Sequence, residues 1–394
     1  MFASAEVLWV FLKLGLRCFG GPVAHIGYFR EEFVARRGWL REQAFADLVG
    51  LCQFLPGPAS SQVGFSIGVL RAGYLGGLAA WTGFTLPSAA ALVMFAYASD
   101  ALRGPLGHGL LHGLKLVAVP IVAQAVWSMA RNLCPDRQRA AIAAACAVIM
   151  LLSPSPAFQI VAIVAGAMAG LIWCRTAQDG NVTALQLPVS RGAGLVSLAL
   201  CLGLLLVLPL LHALGMSPGI ALFEACYRSG ALVFGGGHVV LPLLRQAFVP
   251  PGWLTDDAFL AGYGAAQAMP GPLFAFAAYL GAVASPLPGL RGAAVGLLGI
   301  FLPGILILLG TLPFWDRLRR RRQTRSVMNG VNAAVVGVLG AALYDPVMTT
   351  SVTNLPDVGI ALAGFLLLMT RRASALGVVV FTAIYSVLLV RAGA

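Results

Sequence analysis

A pattern of helix-breaking residues set inside apolar runs occurs twice in the chain. The first copy is Phe19-Gly20-Gly21-Pro22 with His25, then Gly38-Trp39-Leu40, Gln53 and Pro56-Gly57-Pro58. The second is Phe234-Gly235-Gly236-Gly237 with His238, then Gly252-Trp253-Leu254, Gln267 and Pro270-Gly271-Pro272. Proline lacks an N–H and its ring obstructs the preceding turn, so Pro-Gly-Pro ends any helix it interrupts. Irregular backbone at membrane depth is tolerated only where protein or a water-filled cavity covers it. Paired breaks at matching places in a duplicated apolar chain are the sequence signature of a secondary transporter.

Composition agrees with a membrane setting. Hydrophobic residues make up 59% of the 394 residues and charged residues only 10%, and mean hydropathy is +0.88. Soluble domains carry about 25% charged residues. The net charge of +12 sits in loops between apolar segments, where it fixes topology; it argues for a lipid bilayer around the chain and not for nucleic acid. The seven cysteines are scattered through apolar stretches without a Cys-x-x-Cys pair, and no histidine stands at ligand spacing from them. They are expected to be small buried hydrophobes. No metal site and no cofactor is expected.

The fold class expected is all-α and polytopic, with two repeats of about six apolar segments, inverted relative to each other, joined by a linker helix. The breaks make broken or re-entrant helices. The boundaries expected are 1–175 for the first repeat, 176–217 for a polar loop and linker helix, and 218–394 for the second repeat. In the first copy the segments are Val7–Phe29, Ala44–Leu70, Tyr74–Ala98, Leu114–Ala130, Ala140–Leu152 and Ala157–Cys174. In the second they are Ile220–Leu244, Ala258–Ala284, Gly292–Phe314, Val327–Tyr344, Val358–Thr370 and Ala375–Val390, with Leu195–Leu214 as the linker.

Inversion comes from loop charge. The loop Arg30–Glu42 carries Arg30, Arg36, Arg37 and Arg41, while its counterpart Ala247–Asp257 has no arginine. The loop Asp100–His112 carries Arg103 alone, against Arg317, Arg319, Arg320, Arg321, Arg322 and Arg325 in Asp316–Arg325. The bias reverses between copies, which under the positive-inside rule gives opposite topology. The segment count alone leaves the parity open, because it depends on whether the broken segments cross or re-enter.

The breaks point to an anion site. A half-helix starting near Pro58 or Pro272, with proline at its first position, presents free N–H groups that attract anions. One isolated Pro-Gly-Pro is a packing kink; two at equivalent positions indicate a built site. Near the breaks lie Lys13, Arg17 and Arg228, the last aligned with Lys13, together with His25, His238, Gln53, Gln62 and Gln267. A cation inside the bilayer is a functional-site hypothesis by default, with snorkelling to the headgroups as its alternative. Glu224 stands four residues before Arg228, at ion-pair spacing, and Asp47 two turns before Pro56; either carboxylate suits proton coupling. The chain lacks a Walker A pattern, so an ion gradient or the membrane potential is the expected driving force. It also lacks the nucleophile and zinc motifs of hydrolases, and no enzyme activity is expected.

These motifs resemble the chromate ion transporter family in its long, two-domain form. The resemblance rests on Phe19-Gly20-Gly21-Pro22-Val23-Ala24-His25, Gln53-x-x-Pro56-Gly57-Pro58 and Gly73-Tyr74-Leu75-Gly76-Gly77 leading to Pro87. It rests equally on Phe234-Gly235-Gly236-Gly237-His238, Gln267-x-x-Pro270-Gly271-Pro272 and Gly289 to Pro303. It implies a multi-pass protein of the bacterial inner membrane that exports chromate and confers chromate resistance, and it leaves a homodimer open. Sulfate, of the same shape and charge, is the expected competitor and the alternative cargo. A membrane-embedded reductase is a further alternative, for which the cysteines offer no redox pair. The first copy has Gly-Gly-Pro with His25 beyond it, whereas three glycines run directly into His238, so the two halves of the site are not equivalent.

Overall fold

In the computed structural model, residues 2–19, 21–99, 104–153, 156–174, 189–234, 237–318, 321–370 and 372–391 are described. They form nineteen α-helices, short 3-10 and π turns, and no strand. The first copy supplies α1 (Phe2–Gly15), α2 (Gly21–Arg30), α3 (Glu42–Phe54), α4 (Ala59–Ser99), α5 (Pro105–Leu116), α6 (Ala118–Leu133), α7 (Arg137–Leu152) and α8 (Pro156–Trp173). Helix α9 (Arg191–Ala213) stands between the copies. The second supplies α10 (Pro218–Ala231), α11 (Val240–Phe248), α12 (Asp256–Ala268), α13 (Phe276–Val283), α14 (Leu290–Thr311), α15 (Trp315–Leu318), α16 (Arg322–Ala342), α17 (Thr349–Ser351), α18 (Leu355–Met369) and α19 (Ala375–Arg391).

Among the described residues, five stretches are long and apolar enough to cross a membrane: Ala59–Ser99, Leu106–Leu133, Arg191–Ala213, Leu290–Phe314 and Arg322–Ser351. A 41-residue helix such as α4 would be about twice as long as a bilayer core is thick. Non-helical backbone at Ala72 and Gly73 divides it. The expected separation of Ala44–Leu70 from Tyr74–Ala98 therefore survives as a kink within one continuous element.

Two expectations need correction. The stretch Asp100–His112 is not a loop throughout: α5 begins at Pro105, which stands in the first turn where a missing N–H is harmless. The polar His108 and His112 disguised this helix. The loop after α2 is shorter than expected as well, because Glu31–Arg36 continues as a π-helical turn before Gly38. Most of the predicted loop Thr176–Arg191 lies outside the described residues.

The two copies repeat the same local devices. Positive φ occurs at Gly38 and Gly252, at Gly57 and Gly271, and at Gly73 and Gly289. Prolines interrupt α4 at Pro87 and α14 at Pro303. The ion pair Arg30–Glu42, at 2.6 Å, is matched by Arg245–Asp256, at 2.7 Å. In each copy the opening helix packs closely on the long helix that follows, α1 on α4 and α10 on α14. Glycines make this contact tight: a methyl on Gly15 would lie 2.8 Å from the Phe84 carbonyl, and one on Gly230 would strike the Ile300 carbonyl. Small residues at such interfaces let backbones approach where no hydrophobic driving force separates helix from lipid.

Other helices interlock the copies. α16 packs between α7 and α8, α5 along α19, and α18 on α6. Gly166 and Gly170 meet Gly330, and Gly113 meets Ala383, at backbone contact. The largest apolar cluster runs from α4, α5 and α6 into α10 to α14 and α16, so it spans both copies. Many large apolar side chains face outward instead, among them Trp127, Leu152, Leu206 and Leu362. Such a surface suits lipid.

Candidate functional site

The helix breaks of the two copies meet. Gly57, with φ +115°, donates its N–H to the Val233 carbonyl at 2.7 Å; Gly271, with φ +101°, donates to the Cys18 carbonyl at 2.8 Å. Each Pro-Gly-Pro bend is thus bonded to the break of the opposite copy, and the two bonds are reciprocal. Only glycine tolerates these φ values readily, and the space is equally restrictive. A methyl at Gly57 would lie 2.9 Å from Gly304 Cα, and one at Gly271 would lie 2.8 Å from Ser88 Oγ. At the same crossing a methyl on Gly237 would touch Pro22, at 3.2 Å.

Pro58 and Pro272 stand one residue earlier than expected. Each caps the half-helix and does not occupy its first turn: the Pro58 carbonyl accepts the Gln62 N–H at 2.9 Å, and Pro272 is extended, with φ −73° and ψ 133°. Such a cap leaves the first N–H groups beyond it without intrahelical acceptors. The two half-helices then differ in character. α4 opens with Ala59-Ser60-Ser61-Gln62, and all but Ala59 are buried. Its counterpart opens through a 3-10 turn, Leu273–Ala275, and continues with Phe276, all of them buried and apolar.

Polar atoms gather on the α4 side. His25 Nδ1 lies 3.3 Å from Ser60 Oγ, and the ring sits edge-on to Phe84 at 5.2 Å. It also approaches the Cys18 carbonyl, the acceptor of Gly271. Among the described residues, His25 Nε2 is buried without a hydrogen-bond partner, as are Ser61 Oγ and Thr85 Oγ1. Gln62 spends both amide hydrogens on carbonyls, donating to Pro56 and to Gly304 at 2.9 Å each, and leaves Oε1 unpaired. On the other side His238 Nδ1 lies 2.8 Å from Tyr263 Oη, and the Gln267 amide faces Tyr263.

The crossing therefore brings together Pro22, His25, Pro56, Gly57, Pro58, Gln62, Gly237, Gly271 and Pro272. Gly21 begins α2 with φ +79° beside them, and Pro270 begins the second bend. His238 and Gln267 join through Tyr263. Gly20, Gly235 and Gly236 lie outside the described residues. Lys13, Arg17 and Gln53 are exposed and are not brought to the crossing; Lys13 rests on the Trp9 ring at 4.8 Å. Arg228, aligned with Lys13, has Glu224 in the place of Trp9 and pairs with it at 2.8 Å. Each copy thus steadies its cation with the residue four positions earlier. Arg228 lines a separate cleft with Gln159, Ser229 and Gln246. Asp47 is half-buried on α3.

Ser60, Ser61, Thr85, Ser88 and Tyr263 were not singled out by the sequence. Serine and threonine are unremarkable in membrane helices; a comparison of the aligned copies gives the only signal, since Phe274, Ala275 and Phe301 replace Ser60, Ser61 and Thr85.

The profile of the family described as "Chromate transporter" matches residues 5–171 and again 220–387. The chain belongs to the chromate transporter family. It is 31% identical over 349 residues to the chromate transport protein of Pseudomonas aeruginosa, covering 86% of this chain and 80% of that one. A probable chromate transport protein of Synechococcus elongatus is 26% identical over 353 residues, covering 87% and 84%. The chromate transport protein of Cupriavidus metallidurans is 24% identical over 377 residues, covering 93% and 88%. No solved structure matches the chain. Membership of this family and the apolar helices together make it a multi-pass membrane protein of transporter type.

Proposed function

We propose that the protein carries chromate, or an oxyanion of the same shape and charge, out of the cell, with the anion seated at the N-terminus of α4. The observation that carries this reading is the pair of buried polar atoms at the start of α4 left without hydrogen-bond partners among the described residues: His25 Nε2 and Ser61 Oγ. Buried polar groups are normally satisfied, and an unsatisfied donor set at a helix N-terminus suits an anion. If the Ser60 hydroxyl donates to His25 Nδ1, the Nε2–H faces the site as a donor. Ser61 and the first N–H groups of α4 complete a cradle for a tetrahedral dianion. Neutral donors and a helix dipole, equivalent to roughly half a charge, hold such an ion without trapping it. Gln62, with its N–H groups engaged, ties the bend to α14 and leaves the anion to its neighbours.

Further parts of the reading rest on the sequence. Reversed loop charge supports two inverted repeats, 1–175 and 218–394, linked through 176–217, with the anion path at their interface. Membrane potential or a proton gradient supplies the energy, and export across a bacterial inner membrane gives chromate resistance. Exposed Lys13 and Arg17 draw anions toward the site without touching them there. Asp47 and Glu224 remain candidates for proton coupling. The names of the relatives favour chromate; sulfate, sterically and electrostatically equivalent, is the competing cargo.

Paired substitutions test the site. Ser61→Ala removes a hydrogen bond to a charged ligand, worth about 1.5–3 kcal/mol, so KM for chromate should rise roughly tenfold or more. Ala275→Ser, at the equivalent place in the second copy, should leave KM unchanged. An unchanged KM for Ser61→Ala, in protein of normal abundance, would remove the anion from the α4 side.

A further inference from the structure

A histidine–carboxylate contact lies away from the crossing, at the joint where His112 of α5 in the first copy reaches Asp357 of α18 in the second; around it α5 packs on α19 and α12, and α18 on α6. Asn354 caps α18 by accepting the Asp357 N–H at 2.9 Å. Asp357 Oδ2 accepts in return from the Thr353 N–H, at 3.0 Å, and from its hydroxyl, at 2.9 Å. These bonds fix the start of the helix from both sides of Asn354. The helix start at the equivalent place in the first copy is made the same way: Asp136 caps α7 by accepting the Arg139 N–H at 2.9 Å. There the residue in the place of Asp357 is Arg139, and its guanidinium folds back onto the exposed Asp136 at 2.6 Å. The fold can therefore start this helix without a buried carboxylate.

In the second copy the carboxylate points inward. The Asp357 side chain is 0% exposed and lies 3.2 Å from His112 Nε2, on a helix of the other copy. The His112 side chain is 20% exposed, so protons reach one side of the pair. One oxygen of the carboxylate, Oδ2, serves the cap; a histidine partner is not needed for that. The remaining titratable or charged groups on the packed elements are already engaged or stand apart. Lys115 pairs with Asp257 of α12 at 2.8 Å, Asp256 with Arg245, and Asp345 takes the Thr349 hydroxyl at 3.3 Å. Arg131 of α6 rests on Trp127. His108 stands one turn before His112 on α5, and Tyr263 of α12 is engaged by His238. Tyr385 of α19 is within electrostatic reach of Asp357, and its hydroxyl is buried without a partner.

We propose that His112 and Asp357 form a proton-binding site, distinct from the oxyanion site, whose charge state sets how firmly the two copies are held together at the α5–α18 joint. Histidine is the side chain whose charge changes between about pH 5 and 8. A protonated His112 faces a buried carboxylate across the joint and binds it as an ion pair; loss of the proton weakens that bond. Protonation thus clamps the joint and deprotonation frees it. For a transporter whose copies move against each other, the clamp slows the cycle in acid. This consequence rests on the transport reading.

The full chain in proteoliposomes, held at a fixed membrane potential, tests the site. Chromate flux is followed from pH 5.5 to 8 for wild type, His112→Gln and His112→Lys. Protonation of the substrate itself is common to all three, so only ratios are read. His112→Gln should gain on wild type toward acid, by about fivefold across the range, within the tenfold per pH unit that one linked proton allows. His112→Lys keeps a cation against Asp357 at every pH and should hold the slow acid rate throughout. Variants that parallel the wild-type pH profile would overturn the proposal. Absence of flux in wild type would instead be a failure of the transport reading. The comparison then passes to thermal unfolding in detergent, where wild type should gain stability over His112→Gln as pH falls; a constant difference would overturn the site.

Discussion

Replacing Gly57 by alanine tests whether the first Pro-Gly-Pro bend must lie against the second copy. At φ +115° the backbone is in a region that side-chain-bearing residues avoid, and holding alanine there costs about 1–3 kcal/mol. The added methyl would also lie 2.9 Å from Gly304 Cα and 3.0 Å from Gln62 Nε2. The Gln62 amide can swing at the loss of its two carbonyl bonds, but the Gly304 atom is backbone of α14 and cannot turn aside. Overpacking of this kind costs about 1–3 kcal/mol more, for a total of about 2–6 kcal/mol. Gly73→Ala is the control: φ is +65° and ψ −161°, nothing lies within 4 Å of the new methyl, and only the backbone cost of about 1–3 kcal/mol remains. Thermal unfolding of detergent-solubilised protein, followed by size-exclusion chromatography, compares them. Gly57→Ala should lose at least twice the melting temperature that Gly73→Ala loses, and Gly271→Ala should behave like Gly57→Ala. Equal losses at Gly57 and Gly73 would refute the meeting of the breaks.

Further outcomes follow from the same contacts. Gln62→Met keeps the volume and strands the Pro56 and Gly304 carbonyls, so it should lower stability by about 2–4 kcal/mol, seen as a fall in melting temperature and folded yield. Lys13→Ala removes one exposed cation–π contact and should change stability by less than about 1 kcal/mol, with chromate KM affected only at low ionic strength. The Arg139 backbone N–H, and then its guanidinium, hold the Asp136 carboxyl below the usual carboxylate range. The cap contributes above the unfolded carboxylate pKa and is lost as pH falls through the lower folded value. Protection of the first-turn amides of α7, measured relative to their intrinsic exchange rate at each pH, should fall in acid for wild type and stay level with pH for Asp136→Asn, which keeps the cap without its charge.

What the sequence disclosed was local chemistry. Pro56-Gly57-Pro58 and Pro270-Gly271-Pro272 must break helices wherever they stand, and the structure breaks α3 from α4 and α12 from α13 there. Pairing of the two copies was legible for the same reason, since glycine and proline carry their backbone preferences with them. Non-local arrangement was not legible. Nothing in the chain announces that Gly57 bonds to Val233 and Gly271 to Cys18, because backbone donors and acceptors are the same at every residue. Polar Ser60 and Ser61 matter through burial, which depends on the packing of His25 and Phe84 above them. His108 and His112 made α5 resemble a loop, and the partner that explains His112 stands on α18. Lys13 and Arg17, cations in an apolar stretch, stand exposed and away from the crossing, an arrangement that sequence alone does not fix.

Duplication also explains why function shows as a departure from symmetry. The bends, the reciprocal bonds and the Arg30–Glu42 and Arg245–Asp256 pairs are kept in both copies because each copy needs them to fold. Polar Ser60, Ser61 and Thr85 have phenylalanine or alanine opposite, and the buried carboxylate Asp357 has Arg139 opposite. Those unmatched positions are where binding and coupling are assigned.

The decisive measurement is uptake of radiolabelled chromate by inside-out membrane vesicles, energised and then de-energised, for wild type, His25→Ala at equal abundance, and vesicles without the protein. Sulfate serves as competitor. Energy-dependent accumulation by wild type, reduced to background in His25→Ala, is the predicted result, and the strength of sulfate competition ranks the two anions. Wild-type accumulation no greater than that of empty vesicles, or full accumulation by His25→Ala, would contradict an oxyanion path through the crossing of the breaks.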